Sequence, residues 1–331
     1  MPEDRPESLV EHLRVFHDSK RYALQTDALT LSYADLIDLV DTTAEQLRAV
    51  GVEPGDRILV IMPNSAEHII AVLATISIGA IAVPVDSDIA SGRLTDIVKQ
   101  TAPHFCLACE NLSTPAAMQT IRLRIDTNTI TAHCSLEGSA VEQEQITAPE
   151  QRVAFIRFTS GSTGHAKGVV MTHAQQLWIA QSLSERFGLD SAHRELMLVS
   201  MALSGGWQRV AATLYGGGCV LVKEKPLSVG DINDMRVTSQ ATGFFTPPPM
   251  VRMLLASPAD KITAALKNCH SIEIGSAAIN EDELRAFVDL VPNAHVYVHY
   301  GLTECSRAMV LDATGHPDKL ATVGRLLPGV E

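Results

Sequence analysis

The sequence predicts an α/β protein built as two stacked βα subdomains with mainly parallel sheets. Three observations predict it. Strand-like apolar runs alternate with runs of helical period along most of the chain, the pattern of parallel sheets covered by helices. The 331 residues suit two domains of roughly 100–200 residues each. The alternation lapses once, over residues 126–150, which are rich in Thr, Ser, Glu and Gln. The expected division is therefore residues 1–150, a first subdomain plus linker, and residues 151–331, a second.

The elements follow in order. Leu9, Leu13 and Phe16 share one face of a first helix. Ser32 caps a helix carrying Leu36, Leu39, Val40, Leu47 and Val50, and Gly51 ends it. The turn Glu53-Pro54-Gly55-Asp56 leads into a strand from Arg57 to Met62. Ser65 starts a helix that reaches Gly79, and Ile81 to Val85 is the next strand. Residues 92–101 read as helical and His104 to Ala108 as extended, and residues 126–150 as a linker or irregular strands. Beyond Val153, strands are expected over 153–158, 195–201, 218–222, 241–246, 270–274 and 295–299. Helices are expected over 173–187, 206–215, 228–240, 247–256 and 280–291.

Composition excludes several classes. The net charge of −12 argues against non-specific nucleic-acid binding, which needs a basic surface. Apolar residues make up 46% and charged residues 19%, which is globular rather than disordered. Ile69 to Val85 carries no charge, but it contains Thr75, Ser77, Gly79 and Pro84. It also falls short of the roughly 20 residues of a membrane span. The charged N-terminus is not a signal peptide. Six scattered cysteines fit reduced thiols in a cytoplasmic protein, and the pair Cys106 and Cys109 lacks the second pair that a zinc site needs.

The most informative segment is Phe158-Thr-Ser-Gly-Ser-Thr-Gly-His-Ala-Lys-Gly168, after an apolar strand. Thr159, Ser160, Ser162 and Thr163 crowd around Gly161 and Gly164. Glycines let successive backbone N–H groups turn toward an anion, and hydroxyls add donors. Lys167 adds a positive charge, so the segment suits a polyphosphate. It is not a Walker A loop, which needs Gly directly before the Lys and Ser or Thr directly after. Further on, Tyr300-Gly-Leu-Thr-Glu304 follows another apolar strand. Ligands of open α/β sheets sit beyond the carboxyl ends of strands. There Tyr300 offers an aromatic face, Thr303 a hydroxyl and Glu304 a hard oxygen ligand for Mg²⁺.

The segment at 158–168 resembles the signature loop of the adenylate-forming superfamily, which includes acyl- and aryl-CoA ligases, peptide-synthetase adenylation domains and luciferase. The family's Pro is replaced by Ala166, a change expected to alter rigidity rather than chemistry. Leu31-Ser-Tyr-Ala-Asp-Leu36, Gly79-Ala-Ile-Ala-Val-Pro-Val-Asp86, Gly275-Ser-Ala-Ala278, Tyr300-Gly-Leu-Thr-Glu304 and Val323-Gly-Arg-Leu-Leu-Pro-Gly-Val-Glu331 resemble further family motifs in the family's order. The resemblance implies ATP- and Mg²⁺-dependent activation of a carboxylic acid to an acyl-adenylate, then transfer to coenzyme A or a carrier-protein phosphopantetheine. It implies that Thr159, Ser160, Gly161, Ser162, Thr163, Gly164 and Lys167 hold the phosphates. Gly275, Ser276, Ala277, Tyr300 and Gly301 would frame AMP, and Thr303, Glu304 and Lys167 would serve catalysis, with Glu304 on the metal.

The same resemblance places the acid beside Leu203, Ser204, Trp207, Phe245, Ile272, Ile274, His299 and Arg307. Amino-acid-activating relatives have Asp where Leu203 falls, so an acid without an α-amino group, aryl or aliphatic, is expected. Arg307 would meet a polar substituent or face solvent. Family members normally continue past the last motif to a small C-terminal domain with a catalytic Lys; that domain is absent here, so the chain reads as a truncated N-terminal core of low activity. The alternatives are an amino-acid adenylation domain and a non-catalytic nucleotide- or acyl-binding fragment. The expected partners are a carboxylic acid and an acyl carrier protein.

Overall fold

A computed structural model describes residues 6–115, 118–138, 152–159, 167–223 and 240–330. The chain forms two compact units, Met1–Trp178 with Ser200–Ser204, and Ile179–Val199 with Gly205–Glu331.

The first unit opens with α1 (Leu9–Leu13), a 3-10 turn at Arg14–Phe16 and the hairpin β1 (Tyr22–Gln25) and β2 (Thr30–Ser32). Next come α2 (Tyr33–Ala49), β3 (Arg57–Ile61), α3 (Ala66–Ser77), β4 (Ile81–Val85), α4 (Ser91–Thr101) and β5 (Phe105–Cys109). The unit continues through β6 (Thr120–Asp126), β7 (Thr131–Glu137), β8 (Val153–Thr159) and β9 (Lys167–Thr172). Seven strands form one sheet in the order β7-β6-β5-β3-β4-β8-β9. Its centre is parallel, and only the edge pairs β6–β7 and β8–β9 are antiparallel. Every residue of β3 and β4 is buried, as expected for strands covered on both faces. Ser32 starts α2 with a reciprocal cap: its Oγ accepts the Asp35 N–H at 3.1 Å, and Asp35 accepts the Ser32 N–H at 2.8 Å.

The helix α5 (His173–Phe187) runs from the first unit into the second. The second unit then contains β10 (Arg194–Leu196), nearly all of α6 (Ser204–Tyr215), β11 (Cys219–Leu221), β12 (Gly243–Thr246) and α7 (Pro248–Leu255). It ends with α8 (Ala259–Ala265), β13 (Ser271–Ile274), α9 (Glu281–Leu290), β14 (His295–Leu302), β15 (Ser306–Asp312) and β16 (Arg325–Leu326). Its strands run β16-β15-β14-β13-β12-β10-β11, parallel from β11 to β14 and antiparallel beyond. Phe244, Val251, Ile272, Leu284, Phe287 and Val296 are central to its core.

Several expectations change. The boundary does not fall at residue 150: Phe155 of β8 pairs with Ala82 of β4, so β8 and β9 belong to the first unit's sheet. The stretch from residue 126 holds a regular strand, because β7 pairs with β6 from Thr131 to Glu137. It is an edge strand with one fully buried position, Ala132, so its polar sequence carries little periodicity. The strand expected over 195–201 is only three residues long, Arg194–Leu196. β1, β2, β6, β9, β15, β16 and α8 have no counterpart among the expected elements. The helix expected over 228–240 lies almost entirely outside the described residues.

No described helix is long and apolar enough to cross a membrane. The six cysteines are free thiols, and burial pushes Cys106 and Cys109 up to about 12, which keeps them protonated.

Candidate functional site

In the first unit, β8 and β9 form a hairpin whose last registered pair is Thr159 opposite Lys167. Residues 160–166, with the predicted phosphate ligands Ser160, Gly161, Ser162, Thr163 and Gly164, lie outside the described residues. The hairpin therefore brings the two flanks of the segment face to face at the carboxyl end of β8. Lys167 is exposed and Thr159 partly so, which leaves the amine and the hydroxyl accessible.

The same end of the sheet presents the turn Ser200–Leu203. The Leu203 N–H reaches the Ser200 carbonyl at 3.3 Å, and the Ala202 N–H reaches Ser200 Oγ at 3.1 Å. Asn64 Oδ1 accepts the Met201 N–H at 2.8 Å, Asp86 accepts the Ser200 hydroxyl, and Arg157 Nη1 donates to the Ala202 carbonyl at 3.1 Å. Leu203 is left 51% exposed. Arg157 is buried and stacks on Phe155 at 4.4 Å; burial lowers its pKa to about 9, so it stays charged at neutral pH.

A cavity of about 540 Å³ also lies in this unit, but it is lined by Pro54, Gly55, Gly79, Ile81 and Val153. Those residues sit at the amino ends of β3, β4 and β8, the end that open α/β sheets do not use for ligands. None of the predicted site residues lines it.

In the second unit, β13 leads directly into Gly275-Ser276-Ala277. Ser276 has φ +71°, a left-handed conformation that costs a non-glycine residue on the order of 1 kcal/mol or more. Gly275 is required for a different reason. A Cβ there would lie 1.9 Å from Cε1 of His299, so the imidazole rests on the glycine backbone. His299 also faces the Phe245 ring at 5.5 Å. Its Nδ1 lies 2.6 Å from Glu273 Oε1, although the N–H is not aligned on the oxygen.

Glu273 is the centre of a buried polar network. Arg307 donates to it through Nε at 2.7 Å and Nη2 at 3.1 Å, and Arg209 Nη1 approaches at 3.5 Å. Arg209 also donates to Glu195 at 2.8 Å, and Glu195 meets His193 Nε2 at 2.8 Å. Burial pushes the Glu273 carboxyl up, but the Arg307 charge and His299 overcome it and hold the group far below the usual range. Burial lowers the His299 pKa, against the opposing pull of Glu273.

This network corrects the expectation for Arg307. The guanidinium is 2% exposed, and its remaining bonds go to Gln208 and the Gly205 carbonyl. It braces the site rather than facing solvent. Trp207, Phe245, Ile272 and Ile274 are likewise buried, whereas Leu203 is exposed and Ser204 half-buried. Tyr300 and Gly301 close β14, and Thr303 and Glu304 form the turn into β15. Tyr300 is 51% exposed and Glu304 exposed, so ring face and carboxylate are both accessible. Among the described residues no cluster of three metal-ligating side chains forms. One accessible carboxylate still fits Mg²⁺, which binds through one or two carboxylates plus phosphates and water.

Sequence reasoning missed Asn64, Arg157, Arg209 and Glu273 as site residues, and it quoted Asp86 only within a motif. A charged residue inside an apolar strand, as in Ser271-Ile-Glu-Ile274, was the one available signal.

Both units thus keep their polar groups at or beside the carboxyl ends of parallel strands, the arrangement of a ligand-binding open-sheet α/β protein. The chain belongs to the AMP-binding enzyme family, which matches residues 13–331. It is 26% identical over 320 residues to nonribosomal peptide synthetase 8 of Aspergillus fumigatus, covering 95% of this chain and 4% of that protein. It is 25% identical over 320 residues to a probable CoA ligase, CCL5, of Humulus lupulus, covering 91% of this chain and 58% of that one. The chain therefore spans less than two thirds of the length of either curated relative. The crystal structure of CmiS6 superposes with a TM-score of 0.80 at 21% identity, over 95% of this chain and 76% of that one, a likeness of fold.

Proposed function

We propose that this chain activates a carboxylic acid with ATP. The acid's carboxylate oxygen attacks the α-phosphate, the bond to pyrophosphate breaks, and an acyl-adenylate forms for transfer to the thiol of coenzyme A or a carrier phosphopantetheine. The observation that carries this reading is the pairing of Thr159 with Lys167 across the hairpin that bears the Thr-Ser-Gly-Ser-Thr-Gly segment. Two anions must meet in this reaction, so donors and a cation fixed beside the leaving phosphates lower the barrier.

In this reading Lys167 and the hydroxyls from Thr159 to Thr163 hold the β- and γ-phosphates. Gly275, Ser276, Ala277, Tyr300 and Gly301 frame AMP, and Thr303 orients the α-phosphate. Glu304 holds Mg²⁺, which when bound neutralises phosphate charge.

The acid is aryl or aliphatic and lacks an α-amino group. An α-ammonium beside Leu203 loses its water without gaining a counter-ion, at a cost of several kcal/mol. A second reading, amino-acid activation, is favoured by the nonribosomal peptide synthetase among the relatives. ATP–pyrophosphate exchange by the full-length gene product separates them, with amino acids and their des-amino analogues at equal concentration. Faster exchange with the des-amino acids is expected. A preference of about tenfold or more for an α-amino acid selects the second reading. No exchange with any acid overturns both.

A further inference from the structure

The turn Ser200–Leu203 is held in an unusual way. Its three anchors come from the carboxyl ends of three neighbouring strands, β3, β4 and β8. Asn64 follows β3, Asp86 follows β4, and Arg157 lies within β8. Each takes a different residue of the turn. Asp86 takes the hydroxyl of Ser200, Asn64 the N–H of Met201, and Arg157 the carbonyl of Ala202. Three consecutive residues are thereby fixed through hydroxyl, donor and acceptor.

The fourth residue is treated oppositely. Met201 is fully buried and Ala202 6% exposed, but Leu203 projects with half its surface free. An isolated exposed leucine needs no explanation. A leucine carried on a turn held by two charged side chains is different, because Arg157 is drawn away from water to hold its backbone and Asp86 holds the Ser200 hydroxyl. Arg157 is wholly buried, and a charge-assisted bond to a carbonyl is among the stronger restraints available. Arg157 also stands two residues before Thr159, on the strand that leads into the Gly/Ser-rich segment. One strand therefore carries both Arg157 and Thr159.

We propose that Asn64, Asp86 and Arg157 are positioning residues, and that together they preset Leu203 as an apolar wall against the acid's side chain. The inference rests on the acid-activating reading above and adds to it how the acid is aligned. A fixed wall orders the acid before reaction, and small displacements of such a wall are costly in rate. The turn acts on the acid and not on ATP, so its loosening splits the two KM values.

The experiment measures KM for the acid and for ATP separately, by pyrophosphate exchange with the best acid of the panel. Asn64→Ala and Asp86→Ala are expected to raise the acid KM about tenfold or more, the scale of one lost buried hydrogen bond. The ATP KM should stay within about twofold. Asn64→Asp keeps the accepting oxygen and should restore the acid KM. Because an anchor variant can fail to fold, Leu203→Ala and Leu203→Phe provide an arm at an exposed position. They should shift the preference between small and bulky acids by about tenfold. In Asn64→Ala, the Leu203 substitutions should lose that effect, since a loosened turn no longer presents the wall. Equal changes in both KM values, or acid preference indifferent to residue 203, overturn the proposal while leaving acid activation standing. A wild type that exchanges with no acid overturns the functional reading, and the proposal falls with it.

Discussion

Both units bury arginines, and they treat them differently. In the first, Arg157 lies on an aromatic ring and donates to a backbone carbonyl, and burial lowers its pKa to about 9. In the second, Arg209 sits between Glu195 and Glu273; burial opposes its charge, but Glu195 overcomes it and the pKa is raised. Arg307 makes a forked pair with Glu273 beside it. One arginine fastens a turn of the main chain, while the others are locked into a carboxylate network. Removing a buried charge that holds backbone leaves a neutral carbonyl short of one donor, whereas removing one that neutralises another strands a charged partner, which costs more.

The largest expected effect follows from that contrast. Glu273→Ala leaves Arg307 and Arg209 without their shared carboxylate and should destabilise the chain by about 3–5 kcal/mol. Arg157→Met removes the donor to the Ala202 carbonyl together with a desolvated charge, and should cost less, about 1–2 kcal/mol. Urea unfolding of both variants checks the pair. Equal losses would mean that Arg157 is as costly to remove as the carboxylate shared by Arg209 and Arg307.

An acid titration sharpens the comparison next. His68 in α3 is fully buried, with Nδ1 3.1 Å from the Pro63 carbonyl, and burial lowers its pKa to about 4. The unfolded chain takes up that proton near the ordinary value of 6.5, so below it the unfolded state binds more protons and stability falls. The loss runs from about pH 6.5 to about pH 4 and amounts to roughly 3 kcal/mol. His299 in the second unit is also lowered by burial and adds to the same slope. The difference between wild type and His68→Asn isolates the first unit's share. Below about pH 4.5, protonation of Glu195 and Glu273, both held low in the folded chain, removes further stability. If His68→Asn keeps the full wild-type slope between pH 6.5 and 4, the burial argument for His68 fails.

The smallest effects should be alike in both units. Ser32 caps α2, and Asn280 caps α9 by accepting the Glu283 N–H at 2.8 Å. Each Ala substitution should cost about 1 kcal/mol, read as a small shift of the urea midpoint with unchanged slope. A cap variant as damaging as Glu273→Ala would show that the ends of these helices, and not the buried networks, decide stability.

The sequence alone was enough for the elements built by local rules. Ser32 and Ser65 cap helices because side chain and backbone lie a few residues apart, and the apolar runs of β3 and β4 are strands because both faces are covered. Thr159 and the Tyr300–Glu304 segment also stand at strand ends, since a turn after an apolar strand is a local feature. What the tertiary structure decided was pairing. Whether β8 belongs with β4 or with later strands depends on contacts across more than seventy residues, and no local period records that choice. The same holds for the polar side chains. Glu273 is two residues from the nearest quoted motif member, Gly275, and looked like a stray charge in a strand. Only its meeting with Arg209, His299 and Arg307, from an α-helix and two other strands, makes it the centre of a network. Asn64, Asp86 and Arg157 are likewise far from residues 200–202 in sequence. Their role exists because a parallel sheet brings the carboxyl ends of separate strands to one edge.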